Sequence, residues 1–525
     1  MAQTEAEVGI VRRLTLGALN RVERWGNKLP DPVTLFIIMI LLVMIASAVA
    51  AAVGWTAVHP GTQETISPVN LFGGEMIRQT LTDMAQTFAG FPPLGLVLLV
   101  MLGIGVAERS GLIETALRGF VGSVPPVMLS GAIVFAGMMS SIAVDAGYVV
   151  LIPLGAVVFY GVGRHPIAGL AAAFAGVSAG FSANLLLTGL DVLLVSFTEP
   201  AAHLLDPEYG VLVTANYYLM IALVPIFTIA GTIVTEKIVE PSLGTYDPSD
   251  AEEGLPEPGG TEQRLTSKEK RGLVAAGLAV LATLIAVALL VVPTPWWTPP
   301  LYDPTGELLT ERLGPFLSSI VALMLFFFFI PGLVYGIVTG SIRSDSDAAK
   351  MTAETMSSMG AYIVLAFVAA HLVAFFAWSN LGLIFSVVGA DGLQAIGFTG
   401  IPLIVAFVIV SAFLNLLIGS ASAKWAIMGP IFVPMLMQVG YSPELTQAAY
   451  RIGDSVTNVL TPLLPYFPLV IIFAQKYNKK IGIGTILSAM IPYSFAFLVV
   501  GLLALIVWML LGIPLGPGAP MYYGG

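Results

Sequence analysis

The sequence predicts an all-α polytopic membrane protein with nine transmembrane helices and two re-entrant hairpins, arranged as two inverted repeats. Three observations lead there: the composition, the recurrence of long apolar runs, and a subset of those runs interrupted at their middles. Of 525 residues, 57% are hydrophobic and 10% charged, with a mean hydropathy of +0.91, whereas soluble domains carry charge on about a quarter of their residues. A water-soluble surface cannot be built from that supply. The net charge of −10 is no guide to partners, because placement of charge matters more than its sum in a membrane protein, and no nucleic-acid reading survives. Cysteine is absent, which excludes disulfides, thiol nucleophiles and cysteine-ligated metals. His59, His165, His203 and His371 are too scattered for a metal motif.

Residues 1–30 are polar and basic, without the short apolar core of a cleavable signal. Val11, Leu14, Ala18, Val22 and Trp25 share a helical face opposite Arg13, Asn20 and Arg24, so this segment is expected to lie on the cytoplasmic membrane surface. The first transmembrane half, 31–240, contains plain apolar runs at 32–54, 84–107 and 215–238. Between the second and third lie two runs broken by Gly, Ser, Asn or Pro. Residues 127–162 read as a re-entrant hairpin with its tip at Ser140-Ser141, and 166–200 as a crossing unwound near Ser182 to Thr188. Irregular backbone at membrane depth is tolerated only inside protein or beside water.

Segment 241–271, rich in Pro, Gly, Asp and Glu, reads as a cytoplasmic linker. The second half, 272–525, repeats the pattern. Plain runs occupy 272–292, 314–338, 359–388 and 484–512; 401–439 is the second hairpin, with its tip at Ser420-Ala421-Ser422; 443–475 is a crossing broken near Asn458 to Pro462. Trp296-Trp297 suits an aromatic anchor at the outer interface.

The distribution of Lys and Arg supports this count. With the N-terminus inside, eighteen of the 22 basic residues fall on one side, Arg78 and Arg312 on the other, and Lys424 and Arg451 at or within the apolar region. Cytoplasmic loops concentrate basic residues, which assigns the chain to an inner, cytoplasmic membrane. Turning either hairpin into a crossing would scatter the basic loops between compartments. A weak internal repeat agrees: Gly111-Leu112-Ile113 matches Gly382-Leu383-Ile384 at an offset of 271, and Pro153, Gly163, Pro166, Gly176 and Ser178 match Pro430, Gly440, Pro443, Gly453 and Ser455 at 277. Inverted repeats with corresponding broken helices point to a site at the bilayer midplane and to a secondary transporter.

Ser140, Ser141 and Asn184 correspond in type to Ser420, Ser422 and Asn458. Hydroxyl and amide oxygens beside freed carbonyls suit a small alkali cation, which makes Ser140, Ser141, Asn184, Ser420 and Asn458 candidate sodium ligands. The alternative is that they satisfy unwound backbone. Asp145, Asp191, Arg451 and Asp454 are ionisable residues in apolar surroundings, which are functional candidates by default. Asp191 has no basic neighbour in its own helix and suits proton carriage. Arg451 and Asp454, three apart, either form a structural ion pair or serve substrate, with the Arg451 fork gripping a carboxylate. Trp425 offers an aromatic face to a ring-containing substrate or simply packs. No Ser-His, Cys-His or histidine cluster at membrane depth supports an intramembrane enzyme.

The runs F-F-A-W-S-N-L-G at 375–382, G-S-A-S-A-K-W-A-I-M-G-P-I-F-V-P-M at 419–435 and Y-R-I-G-D-S-V-T-N-V-L-T-P-L at 450–463 resemble the p-aminobenzoyl-glutamate transporter family over nearly the whole chain. The resemblance implies a bowl-shaped homodimer of nine-helix, two-hairpin protomers. It implies ion-coupled transport of p-aminobenzoyl-glutamate or related folate metabolites, and for some members proton-driven export of sulfonamide antimetabolites, with sodium also bound. The family's functional residues map onto Asp191, Ser422, Trp425, Pro443, Arg451, Asp454 and Pro462. The first hairpin, 139–147, is a looser match. The competing transporter reading is sodium-coupled dicarboxylate uptake; a passive channel is a third. No cofactor other than sodium is expected.

Overall fold

The computed structural model describes residues 32–58, 65–142, 147–247, 265–306, 312–461, 464 and 466–524. The expected N-terminal surface segment, Asp145, Pro462 and most of the expected linker lie outside them. Among the described residues, eight helices are long and apolar enough to cross a bilayer. Leu278, Leu281, Ile285 and Leu289 on one of them are each more than half exposed. Such a stripe would aggregate in water but is an ordinary lipid-facing surface in a membrane.

In the first half, α1 (Pro32–Val53) crosses and leads to a two-stranded antiparallel ribbon, β1 (Ala57–Val58) and β2 (Thr65–Ile66). The run expected as one crossing at 84–107 is divided. Its start belongs to α2 (Gly74–Ala89), and α3 (Pro92–Arg109) restarts after Phe91, because proline lacks the N–H that the first turn leaves unpaired anyway. Gly111, at φ +89°, turns the chain into α4 (Leu112–Gly122). α5 (Leu129–Met139) ends in a 3₁₀ turn at Ser140–Ile142, the hairpin tip, and the axis bends by 117° between α4 and this arm. A π-turn at Gly147–Leu151 starts the returning arm, α6 (Ile152–Gly161). The broken crossing follows as α7 (Pro166–Phe174), a π-turn at Ala175–Ala179, irregular backbone over 180–188 and α8 (Gly189–Ala202). α9 (Tyr217–Val234) closes the half.

In the second half, α10 (Ser267–Val291) begins inside the expected linker, started by a reciprocal cap between Thr266 and Glu269. α11 (Ile320–Thr339) returns. A polar helix that hydropathy did not reveal, α12 (Asp345–Ser358), starts on a similar Ser344–Asp347 cap. The run expected as one crossing at 359–388 is two helices, α13 (Gly360–Trp378) and α14 (Leu381–Ala395). They are parted at Asn380, whose φ of +60° makes it the one left-handed non-glycine among the described residues; asparagine tolerates that conformation better than most side chains. α15 (Gly400–Leu417) and α16 (Ala421–Gln438) form the second hairpin. The second broken crossing is α17 (Pro443–Val456), a 3₁₀ turn at Asn458–Leu460 and α18 (Phe467–Gln475); α19 (Ile483–Leu511) is the last crossing. Among the described residues, with α15 counted as a hairpin arm and the two broken spans added, the crossings number nine.

The repeat is visible in backbone geometry. Gly163 and Gly440, equivalent in sequence, both adopt positive φ (+75° and +102°) in the turn that leaves each hairpin, where a Cβ would be strained. At the next equivalent pair, His165 Nδ1 and Ser442 Oγ accept backbone N–H groups and cap α7 and α17. Gly176 and Gly453 each lie where a broken crossing packs tightly on the first arm of its hairpin. A Cβ on either would overlap a backbone oxygen there, that of Val134 or that of Val408.

Candidate functional site

Each hairpin is tied to the break of its own half by one asparagine. In the first half, Asn184 Nδ2 donates to Ser141 Oγ at 2.9 Å and to the Met138 carbonyl at 3.2 Å, while its Oδ1 accepts from Leu186 N at 2.9 Å. In the second, Asn415 near the end of α15 donates from Nδ2 to the Asp454 carbonyl at 2.6 Å and to Asn458 Oδ1 at 2.8 Å. The halves are then sewn to each other: Asn458 Nδ2 donates to the Ser178 carbonyl at 3.2 Å, and Ser182 Oγ to the Arg451 carbonyl at 2.8 Å. These bonds satisfy groups that unwinding frees, which is the requirement for irregular backbone at depth.

Four buried charges sit around this seam in two neutral pairs. Arg451 Nη1 lies 2.5 Å from Asp191 Oδ1, and the other Asp191 oxygen accepts from Thr188 N and Thr188 Oγ at 2.6 and 2.8 Å. The acid therefore opens α8 and neutralises a charge from the opposite half with the same carboxylate. Lys424 contacts Asp454 Oδ1, and its Nζ lies 2.5 Å from Asn415 Oδ1. Asp191, which has no basic neighbour in its own helix, finds one across the interface. Of the two readings of Arg451 and Asp454, the structural ion pair along α17 is not formed, because each residue finds its charged partner outside α17. The role of Lys424 was not legible, and neither was the involvement of Asn415. The one signal was their chemistry: a lysine and an amide within apolar runs.

Trp425 is fully buried. Its ring stacks on Tyr450 at 4.4 Å between centroids, and its indole N–H donates to Thr198 Oγ at 2.9 Å. Tyr450 donates in turn to the Ala421 carbonyl at 2.6 Å and to Asp454 Oδ1 at 3.2 Å. The tryptophan thus packs the root of the second hairpin tip onto α8 and α17. Pro443 is the first residue of α17, and Ser420 caps α16 with its hydroxyl 3.2 Å from that of Ser422. Ser140 donates to the Gly137 carbonyl at 2.6 Å and Ser141 to Met138 at 2.8 Å.

A cavity of about 490 Å³ separates the two tips. Ser141 and Ile142 from the first tip face it from one side, Ala421 and Ser422 from the second face it from the other, and Gly189 and Leu190 present the start of α8. Its walls are apolar and aromatic, with Met101, Ile104, Phe181, Leu193 and Tyr362, and its mouth carries Glu108, Arg109, Thr355 and Ser358. This volume falls within the ~300–1,000 Å³ range of small-molecule sites, and so does the mix of apolar wall and few polar groups. Of the sequence-derived candidates, Ser141 and Ser422 line the cavity. Asp191, Trp425, Arg451, Asp454, Asn184 and Asn458 are buried and do not line it. The arrangement is a mostly apolar cavity between the hairpin tips, with two buried ion pairs and several buried amide side chains near the seam of the two halves.

The family model described as "AbgT putative transporter family" matches residues 17–523. The p-aminobenzoyl-glutamate transport protein of Escherichia coli strain K12 is 40% identical over 497 residues, covering 95% of each chain. Two solved structures share the fold. The YdaH transporter of Alcanivorax borkumensis has 43% identity and a TM-score of 0.86 over 93% of this chain and all of that one. MtrF of Neisseria gonorrhoeae, described as illuminating a class of antimetabolite efflux pumps, has 44% identity and a TM-score of 0.89 over 96% of this chain and all of that one. With such coverage, an all-α fold of broken helices and paired hairpins, and a chamber between the tips, the chain belongs to the AbgT family of membrane transporters and is a secondary transporter, not an enzyme.

Proposed function

We propose that this protein carries p-aminobenzoyl-glutamate, related folate metabolites and sulfonamide antimetabolites across an inner membrane, coupled to an ion gradient, as a homodimer with its N-terminus cytoplasmic. The observation that carries this reading is the chamber between Ser141 and Ser422: an apolar, partly aromatic space large enough for a benzamide and open at a polar mouth. Likeness to the p-aminobenzoyl-glutamate transport protein of Escherichia coli supports the substrate, and likeness to MtrF, of a class of antimetabolite efflux pumps, supports export. The one-sided basic loops support the orientation.

Coupling is read from the charge pairs. Protonation of Asp191 would break the Asp191–Arg451 pair, and the two broken crossings it joins would be free to shift. Sodium is read as a second cargo. In the first half the neutral side chains of Ser140, Ser141 and Asn184 have no ammonium partner among the described residues, with Asn184 bonded to Ser141 through Nδ2, whereas in the second half the Lys424 ammonium already meets Asp454 and Asn415. The test is flux of p-aminobenzoyl-glutamate and of a sulfonamide in proteoliposomes under separately imposed sodium and proton gradients. Concentrative movement of either under one gradient supports the proposal. Movement of simple dicarboxylates alone, or mere equilibration under every gradient, overturns it.

A further inference from the structure

The four charges at the seam are consumed by each other, so an anionic substrate in the chamber would meet none of them. Among the described residues, the one basic side chain lining the chamber is Arg109. It ends α3 at the mouth. Its Nη1 lies 3.1 Å from Glu354 Oε2, and its Nε donates to Thr355 Oγ at 3.1 Å. Nη2 makes no hydrogen bond to a described residue. Both partners of the pair are partly in solvent, at 35% and 47% exposure, and they meet through a single nitrogen and a single oxygen. Such a pair is weak, and a carboxylate taking Nη1 and Nη2 together makes a stronger, two-point contact. The pair is not needed to hold α3 against α12: Gly105 already packs so closely on Thr355 that a Cβ there would overlap its side chain.

We propose that Arg109 is the carboxylate-binding residue of the transport chamber and that Glu354 is an exchangeable partner, displaced when an anionic aromatic amide enters. Selection for charge then occurs at the mouth, while the apolar walls accept the ring of charged and neutral substrates alike. This rests on the transport function proposed above. Because the chamber touches both hairpin tips, a substrate held at Arg109 by its acidic end projects its ring toward Ser141 and Ser422.

The experiment measures proteoliposome flux of p-aminobenzoyl-glutamate, an anion, beside sulfanilamide, which is neutral, for the full-length wild type, Arg109→Gln and Glu354→Gln. Arg109→Gln is expected to raise KM for the anion about tenfold, the worth of one charged hydrogen-bonded contact, with sulfanilamide unchanged. Glu354→Gln is expected to lower KM for the anion, because it frees the arginine. A mere latch between α3 and α12 predicts that the two variants fail alike, on both substrates, and that result overturns the proposal. So does Arg109→Gln with unaltered anion KM. If Arg109→Gln does not fold, an unchanged or raised anion KM in Glu354→Gln is sufficient to reject the idea. Failure of wild type to move either compound counts against the transport reading instead.

Discussion

Asp191 and Arg451, 260 residues apart on the broken crossings of opposite halves, meet through Oδ1 and Nη1 at 2.5 Å, and both are buried. The contact ties the start of α8 to the middle of α17, so the two repeats share one electrostatic joint. Truncating either partner of such a pair leaves an uncompensated charge, at a cost of about 3–5 kcal/mol.

The first prediction follows from that joint. Asp191→Asn and Arg451→Gln should each lower the thermal midpoint in detergent, and the double variant should recover part of the loss. Asp191→Asn should in addition abolish proton-driven flux while leaving some equilibrium binding by calorimetry. Normal pH-dependent flux in that variant would end the proton-carrier assignment.

The second concerns Lys424, whose ammonium is the partner of Asp454. Lys424→Met should be destabilising by a similar ~3–5 kcal/mol, and Lys424→Met with Asp454→Asn should be milder than either change alone. Strict additivity in this double-mutant cycle would show that the two side chains do not interact.

Packing makes the third prediction. Gly176→Ala and Gly453→Ala each force a methyl group against a backbone oxygen of the facing hairpin arm, and overpacking of this kind costs roughly 1–3 kcal/mol or more. Both should reduce thermal stability and flux. Gly277→Ala, on α10 with open space around it, is the control and should be neutral. Equal behaviour of all three would contradict the close crossing.

Ion coupling gives the fourth. Asn184→Ala and Asn458→Ala should weaken sodium dependence of flux more than the substrate KM measured at saturating sodium, because a lost ligand oxygen acts on the ion first and on substrate through coupling. Loss of expression with unaltered sodium dependence in the surviving protein would favour backbone satisfaction as their whole role.

Topology gives the fifth, and the absence of cysteine makes it clean. Val162→Cys after the first hairpin and Ile396→Cys before the second are exposed positions that should react with impermeant thiol reagents from opposite sides of the membrane. Labelling from the same side would refute the inverted-repeat arrangement.

The sequence by itself determined the class, the number of crossings and the breaks at the hairpin tips and within the two broken crossings. Hydropathy is a local property, and Gly, Ser, Asn and Pro inside an apolar run change local backbone energetics whatever lies nearby. Ser140-Ser141, Ser182 to Thr188 and Ser420 to Ser422 were therefore legible, and the repeat located Gly163 and Gly440, both of which take positive φ. Even local reading faltered where the cue was weak: one left-handed asparagine at 380 divides an apolar run that looked continuous, and α12 has too little hydropathy to announce itself.

Only the tertiary structure decided which charge meets which. Along α17, Arg451 and Asp454 look like partners, and Asp191 looks unpaired; in space Arg451 takes Asp191, and Asp454 takes Lys424. Helical spacing reports neighbours on one helix, whereas a buried charge is neutralised by whichever opposite charge the packing of two halves brings within about 4 Å. The same holds for the chamber: Ser141, Ser422 and Arg109 lie far apart in sequence, and only the packing of the two halves brings them to line one cavity.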